Sequence, residues 1–338
     1  MPASISVSMS VPGAVAADAP DEAVAGHYGD PAGEQRAWER GPAIVDRSHF
    51  GVVVVDGPDR LSWLHALTSQ ALDDLPPNTP TQTLLLSPQG HVEFHAEVLD
   101  DGARTFMVVD PGTAQGLADF LTGMRFLTRV EVRNESADWA LMTVRPVSLV
   151  DSAASVVIPR AWPTDSADVL VPRSAAEVFW GQLVDAGARP VGYAAYEAMR
   201  IADGHARLGL DTDHRTLVHE VGWVESAVHL HKGCYRGQET VARVHNLGRP
   251  PRRLVMVHLD GSDHLLPPRG AELRQGGRVV GTLTSVARHA ELGPIGLALL
   301  KRSAADDQPL TTADGVAVAV ERDISSPTEP VDLGAFRG

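Results

Sequence analysis

The spacing of apolar residues changes character several times along this chain. Residues 1–37 are rich in Ala, Ser, Gly, Pro, Asp and Val but hold no sustained period. Such a stretch buries too little surface to offset the entropy of ordering it, so a disordered tail is expected there. The valine run over 51–55 reads as a buried strand, and a helix follows it. Asp56 or Gly57 can cap that helix, Pro58 suits its first turn, and Leu61, Leu64 and Leu67 make its apolar stripe. His65 falls among these positions as a hydrogen-bonded, half-buried residue.

Strands are expected over 81–86 and 92–99. The second alternates, with Val92, Phe94, Ala96 and Val98 opposed to Glu93, His95 and Glu97. Ser87-Pro88-Gln89-Gly90 is the turn between them. A strand over 105–109, an amphipathic helix over 113–124 and strands over 130–132 and 139–144 continue the pattern, which implies an α+β fold with helices on one face of the sheet. Residues 146–173 hold four prolines and read as loops with short strands. Ser174 and Glu177 have the spacing of a capping box, for a helix that Gly187 can end, and a second helix over 193–203 ends at Gly204. From 208 to 225 the chain is dense in His, Asp and Glu, the composition of a cleft or equally of a solvated loop. After Pro250-Pro251 come short strands over 253–259, 271–274, 278–287, 296–300 and 316–320, with Gly276-Gly277 marking a tight hairpin, the pattern of a small antiparallel barrel or sandwich. The chain thus divides into a tail (1–37), an α+β region (38–248) and a C-terminal β domain with a short tail (249–338).

Composition narrows the function classes. The formal net charge of -14 argues against nonspecific binding to nucleic acid or anionic membrane, which depends on Lys and Arg displacing counterions at phosphates. No apolar run approaches the roughly 18 residues of a membrane span, and the first 35 residues contain no Lys or Arg, so a signal peptide would lack its basic segment. The chain reads as cytoplasmic.

The single cysteine, Cys234, excludes an intramolecular disulfide and stands in His231-Lys232-Gly233-Cys234-Tyr235-Arg236-Gly237-Gln238-Glu239. Lys232, one of only two lysines, and Arg236 flank it at two residues' distance, a setting that favours a thiolate. Gly233 and Gly237 permit a sharp turn or the close approach of a ligand, and Tyr235 offers a stacking face and a hydroxyl. The spacing of His229, His231, Cys234 and His245 is poor for a structural metal, and none is expected. One cysteine does not hold an iron-sulfur cluster, which usually takes four thiolates, although a transient or shared ligand remains open.

The octapeptide K-G-C-Y-R-G-Q-E resembles that of the YgfZ-type folate-binding proteins, relatives of the glycine-cleavage T-protein that act in iron-sulfur cluster assembly or repair. The resemblance runs from about Arg47 to Lys301. It passes through V-D-G-P-D-R-L-S-W-L-H-A-L-T-S-Q (55–70), L-L-L-S-P-Q-G (84–90) and G-P-I-G-L-A-L-L (293–300). It implies a T-protein-like body of antiparallel sheets with packed helices, ending in an antiparallel β-barrel. Cys234 and Lys232 would be its reactive pair. Tetrahydrofolate or a derivative would be its ligand, held by Arg200, Asp203, Gly233, Tyr235, Arg236, Gly237, Gln238 and Glu239. Iron-sulfur proteins or their assembly factors would be its partners.

The chain departs from the T-protein pattern at two places. Phe94 and His95 stand where an acidic pair supports aminomethyl transfer, and Ala202, in Arg200-Ile201-Ala202-Asp203-Gly204, replaces a glutamate that holds the pterin. Besides the accessory role, a folate-dependent aminomethyltransferase and a noncatalytic protein-binding scaffold are both compatible with the residues.

Overall fold

The computed structural model describes residues 6–150, 156–261, 266–305 and 308–327. They form two compact units, one of 1–63, 72–81 and 96–199 and one of 64–71, 82–95 and 200–338.

The first unit carries the order 156–160, 166–172, 139–145, 43–46, 189–190 in one five-stranded sheet. Its neighbours run antiparallel except the last pair, which is parallel. Successive side chains in a strand point to opposite faces, and here both faces are apolar. Ile44, Ala140, Met142 and Val169 pack with Trp180 and Leu183 of the helix Ala176–Asp185, while Val45, Leu141 and Leu170 enter a second core with Val52, Val54, Phe106 and Tyr193. A sheet of order 81–86, 92–100, 104–109, 51–56, 131–134 carries the strands expected in that region. The capping box at Ser174 does not form: Ser174 lies in a 3-10 turn, Arg173–Ala175, and the helix begins without a side-chain cap.

The expected disorder of residues 1–37 is corrected over the described part, 6–37. Val24 and Trp38 are buried in the first unit's core. Asp30 accepts the Gly33 amide at 2.8 Å to cap the helix Pro31–Arg40, whose first residue is proline. The buried Glu34 carboxylate accepts the amides of Tyr28 (2.9 Å), Asp30 (3.3 Å) and Gly192 (2.8 Å). Order here rests on a few apolar anchors and on carboxylates bonded to backbone, and neither produces a period.

The second unit contains a closed antiparallel barrel of order 252–259, 293–301, 278–289, 272–275, 310–312, 317–323. Gly276 and Gly277 have φ of +55° and +80°, as a two-residue type I′ hairpin requires. Val255, Val257, Leu273, Leu283 and Ala298 fill the barrel. The alternate residues Leu254, Met256, Leu297 and Leu299 face outward into a core with Ile201, Val218, Trp223, Tyr235 and Val241. That outer core joins the cysteine segment to the barrel wall. The final tail after 327 lies outside the described residues. Among the described residues no helix is long and apolar enough to cross a membrane.

Candidate functional site

The last carbonyls of a helix lack intrahelical partners and favour a nearby cation. At the end of the helix Arg60–Leu67, Ser69 N–H bonds Leu84 O at 3.0 Å, and the Lys232 ammonium donates to the carbonyls of His65, Thr68 (2.6 Å) and Gln70 (3.0 Å). An ammonium has three donors, and Lys232, only 8% exposed, has these three acceptors. The ammonium expected to hold the Cys234 thiolate thus also donates to three carbonyls at the end of a helix, a role the sequence did not announce. Ser69 fastens the same region, donating its hydroxyl to Ala227 O (2.6 Å) and accepting the Leu84 amide (2.9 Å), while His229 N–H bonds Ser69 O at 3.0 Å.

Tyr235 provides a second anchor. It is buried in the outer core with its ring 5.3 Å from the Lys232 nitrogen, and burial pushes its hydroxyl pKa up to about 12. The ring expected to offer a stacking face is packed into this core. A third anchor is Gly237, whose φ of +83° is left-handed; a Cβ there would lie 2.7 Å from Ser87 O and 2.9 Å from Gly90 Cα. Gly90 has φ of +81°, and its own added Cβ would meet Thr240 Cβ at 2.6 Å. Two turns are packed glycine against glycine. Gln238 and Glu239 form the first turn of the helix Gln238–Leu247, and the Gln238 amide reaches back to Lys232 O at 3.4 Å.

Above these anchors Cys234 is exposed. Gly233 has no left-handed φ, and a Cβ added to it would meet nothing within 4 Å. The fold itself does not require glycine there, and the space where a Gly233 side chain would begin is open. Arg236 pairs with Glu93 at 3.4 Å, with both side chains more than a third exposed or close to it (37% and 35%), so the pair is heavily screened. Glu93 belongs to this site, although the sequence placed it only among the polar positions of its strand. Its place on the polar register of the strand Val92–Asp100 was the available signal.

The remaining expected ligand residues are dispersed. Arg200 is buried, donating to Asp211 Oδ2 (2.8 Å), His205 O and Ser285 Oγ (2.8 Å), and Asp211 in turn accepts Thr284 Oγ1 (2.6 Å) and Ser285 Oγ (2.7 Å). The guanidinium expected to meet a ligand thus bonds Asp211 and the barrel strand Arg278–His289. Asp203 is exposed at the end of the helix Tyr193–Asp203. His95 stacks flat on Trp223, at 4.5 Å and 4°, with Gln82 Oε1 3.3 Å from its Nε2. His229 and His231 lie edge to face at 6.5 Å.

His219 was not singled out in the sequence. It is fully buried, neither ring nitrogen has a hydrogen-bond partner among the described residues, and the His245 ring lies 5.9 Å away. Burial, and then the neighbouring His245, lower its pKa to about 4. The unfolded chain takes up this proton near 6.5 and the folded one near 4. The folded state therefore has its full advantage above about 6.5 and loses it as pH falls to 4, at most about 3 kcal/mol. Urea midpoints for the parent are expected to fall across that window, and to fall distinctly less for His219→Leu. Equal slopes would show that His219 does not titrate as its surroundings dictate.

Comparison with known proteins bears on the whole architecture. The model of the CAF17 C-terminal β-barrel domain matches residues 252–327. The chloroplastic protein At1g60990 of Arabidopsis thaliana, whose name is that of a transferase, is 25% identical over 319 residues, covering 86% of this chain and 70% of that one. An aminomethyltransferase of Nostoc sp. is 25% identical over 313 residues, covering 82% of each. The crystal structure of glycine cleavage system aminomethyltransferase T from Bartonella henselae superposes with a TM-score of 0.81 at 17% identity, covering 94% of this chain and 96% of that one. The chain accordingly has the aminomethyltransferase T fold, ending in a closed six-stranded antiparallel barrel that matches the CAF17 C-terminal domain.

Proposed function

We propose that the chain is an accessory protein of iron-sulfur cluster assembly or repair whose working group is the Cys234 thiol. The observation that carries this reading is the contrast at the site: an exposed cysteine, next to a glycine with open space around it, on a turn held by Lys232, Tyr235 and the Gly90–Gly237 contact. These anchors hold the turn that carries the exposed cysteine. The K-G-C-Y-R-G-Q-E resemblance and the match to the CAF17 barrel support the same assignment. A cluster usually takes four thiolates, so Cys234 acts as a transient ligand shared with a donor or client protein, and the cluster is cargo. Iron-sulfur proteins or their assembly factors are the partners.

Tetrahydrofolate, which the resemblance implies, fits the residues poorly. Ala202 supplies no carboxylate, Arg200 is committed to Asp211 and Ser285, and Tyr235 is buried. The similarity to aminomethyltransferases favours a transferase as the second reading, but Phe94 and His95 offer no acidic pair, and His95 is held against Trp223.

Complementation tests the first reading. Cys234→Ser is expected to unfold within about 0.5 kcal/mol of the parent, as exposed substitutions usually do, yet to leave iron-sulfur enzymes inactive in cells lacking the protein. Full restoration would remove the thiol from the mechanism, and turnover of an aminomethylated carrier with tetrahydrofolate would move the chain to the second reading.

A further inference from the structure

The helix Pro31–Arg40 in the first unit has a face that its packing does not explain. An open cleft of about 450 Å³ runs along it, with Gly33, Ala37 and Gly41 beneath and Arg36, Arg40 and Arg189 around it. Arg40 and Arg189 are exposed and Arg36 is half-buried. Among the described residues none of these three guanidiniums has an ion-pair or hydrogen-bond partner. Many other arginines are paired: Arg47 and Arg160 share Asp168, Arg60 pairs with Asp100, and Arg252 holds Asp213 and Glu220. Exposed arginines without a partner among the described residues occur elsewhere, as at Arg125, Arg215, Arg243 and Arg278, but here three of them line one cleft. With 43 acidic against 29 basic residues, the chain has acids to spare, yet it leaves this cluster unneutralised.

The arrangement works against local stability. Arg36 and Arg40 stand four residues apart on one helix face, where like charges repel. The one acidic residue lining the cleft, Asp30, uses its carboxylate on the Gly33 amide at the start of the helix. Gly41 is also unexplained by the fold. Its φ of -164° is ordinary extended backbone, and a Cβ added there would meet nothing within 4 Å. A side chain at that position would compete for the cleft.

We infer that this cleft binds a small ligand bearing two or more oxyanion groups, phosphate or carboxylate. Arginine suits both because its planar fork donates two parallel hydrogen bonds to either group. The cleft volume lies within the range of small-molecule sites, roughly 300 to 1,000 Å³. At Gly41 nothing lies within 4 Å of where a side chain would begin, so a ligand can approach the backbone there, whereas the space over Gly33 is filled by the Asp30 carboxylate. The site is separate from the Cys234 turn and stands whether or not the proposed function does.

Calorimetric titration of the full chain with sodium pyrophosphate and with sodium citrate, at matched ionic strength, tests this. Saturable binding is expected for at least one of them, and the tighter of the two identifies the group. The Arg40→Gln/Arg189→Gln variant alters only exposed side chains and should bind at least tenfold more weakly, whereas Arg243→Gln, remote in sequence on another helix, should bind as the parent does. Gly41→Glu, whose side chain has room and would offer its own carboxylate to the arginines, should abolish binding while leaving the melting temperature unchanged or raised. The inference is overturned if neither anion binds, if the double variant binds like the parent, or if a glutamate-rich peptide binds at least tenfold more tightly than both anions, which would assign the cleft to a protein partner.

Discussion

Lys232→Met is expected to destabilise the second unit by about 1 to 3 kcal/mol, because buried carbonyl acceptors lose their shared donor while the desolvation of the ammonium is relieved. Methionine matches most of the lysine stem, so the loss isolates the ammonium. The carbonyls of His65, Thr68 and Gln70 would all lose their shared donor. Each then faces a penalty of order 1 to 3 kcal/mol if it stays buried, reduced where the segment relaxes enough to admit water. The loss of the cation from the Tyr235 ring acts in the same direction. Chemical denaturation should show a lower midpoint, and hydrogen exchange should quicken first at Thr68 and Ser69. Arg236→Gln is the contrasting variant: its pair with Glu93 is screened by solvent, and about 0 to 1 kcal/mol is expected. An unchanged midpoint for Lys232→Met, with slower alkylation of Cys234, would assign the lysine to the thiol instead.

The Lys232 result marks where sequence reading stops. The motif around Cys234, its glycines and its lysine are all visible as letters, and the exposure of the thiol agrees with its charged neighbours. The acceptors of the ammonium are backbone carbonyls 162 to 167 residues upstream, and a carbonyl has no letter of its own. Proximity in sequence to Cys234 gave no sign of these acceptors for that reason. The strands Thr81–Leu86, Val92–Asp100 and Arg252–Leu259 were legible because alternation or a continuous apolar run marks them, and the barrel turn because Gly276-Gly277 has a specific backbone demand. The barrel strand Leu310–Thr312 has three residues, too few to show any period. The segment from 6 to 37 escaped because the Glu34 carboxylate gathers three backbone amides across the fold, an arrangement of polar groups with no spacing rule.

Gly237→Ala is expected to cost about 2 to 4 kcal/mol and to loosen the turn that presents Cys234. Two independent effects combine. An L-residue held at φ of +83° pays about 1 kcal/mol or more for the left-handed conformation. The added methyl would also sit 2.7 Å from Ser87 O and 2.9 Å from Gly90 Cα, both backbone atoms of the opposing hairpin. Neither can swing aside as a flexible side chain would, and overpacking of this kind typically costs 1 to 3 kcal/mol. Gly233→Ala provides the internal comparison, because its new methyl meets nothing within 4 Å and φ there is not left-handed; a change within about 0.5 kcal/mol is expected. Gly90→Ala should resemble Gly237→Ala, since it drives a methyl to 2.6 Å from Thr240 Cβ. Each substitution forces the same two turns apart, so the Gly90→Ala/Gly237→Ala double variant should lose less than the sum of the singles. Full additivity in denaturant midpoints, or a Gly237→Ala protein as stable as the parent, would mean that the two turns do not support one another. If Gly233→Ala keeps its stability but fails complementation, the open space at Gly233 is reserved for the molecule that the thiol meets.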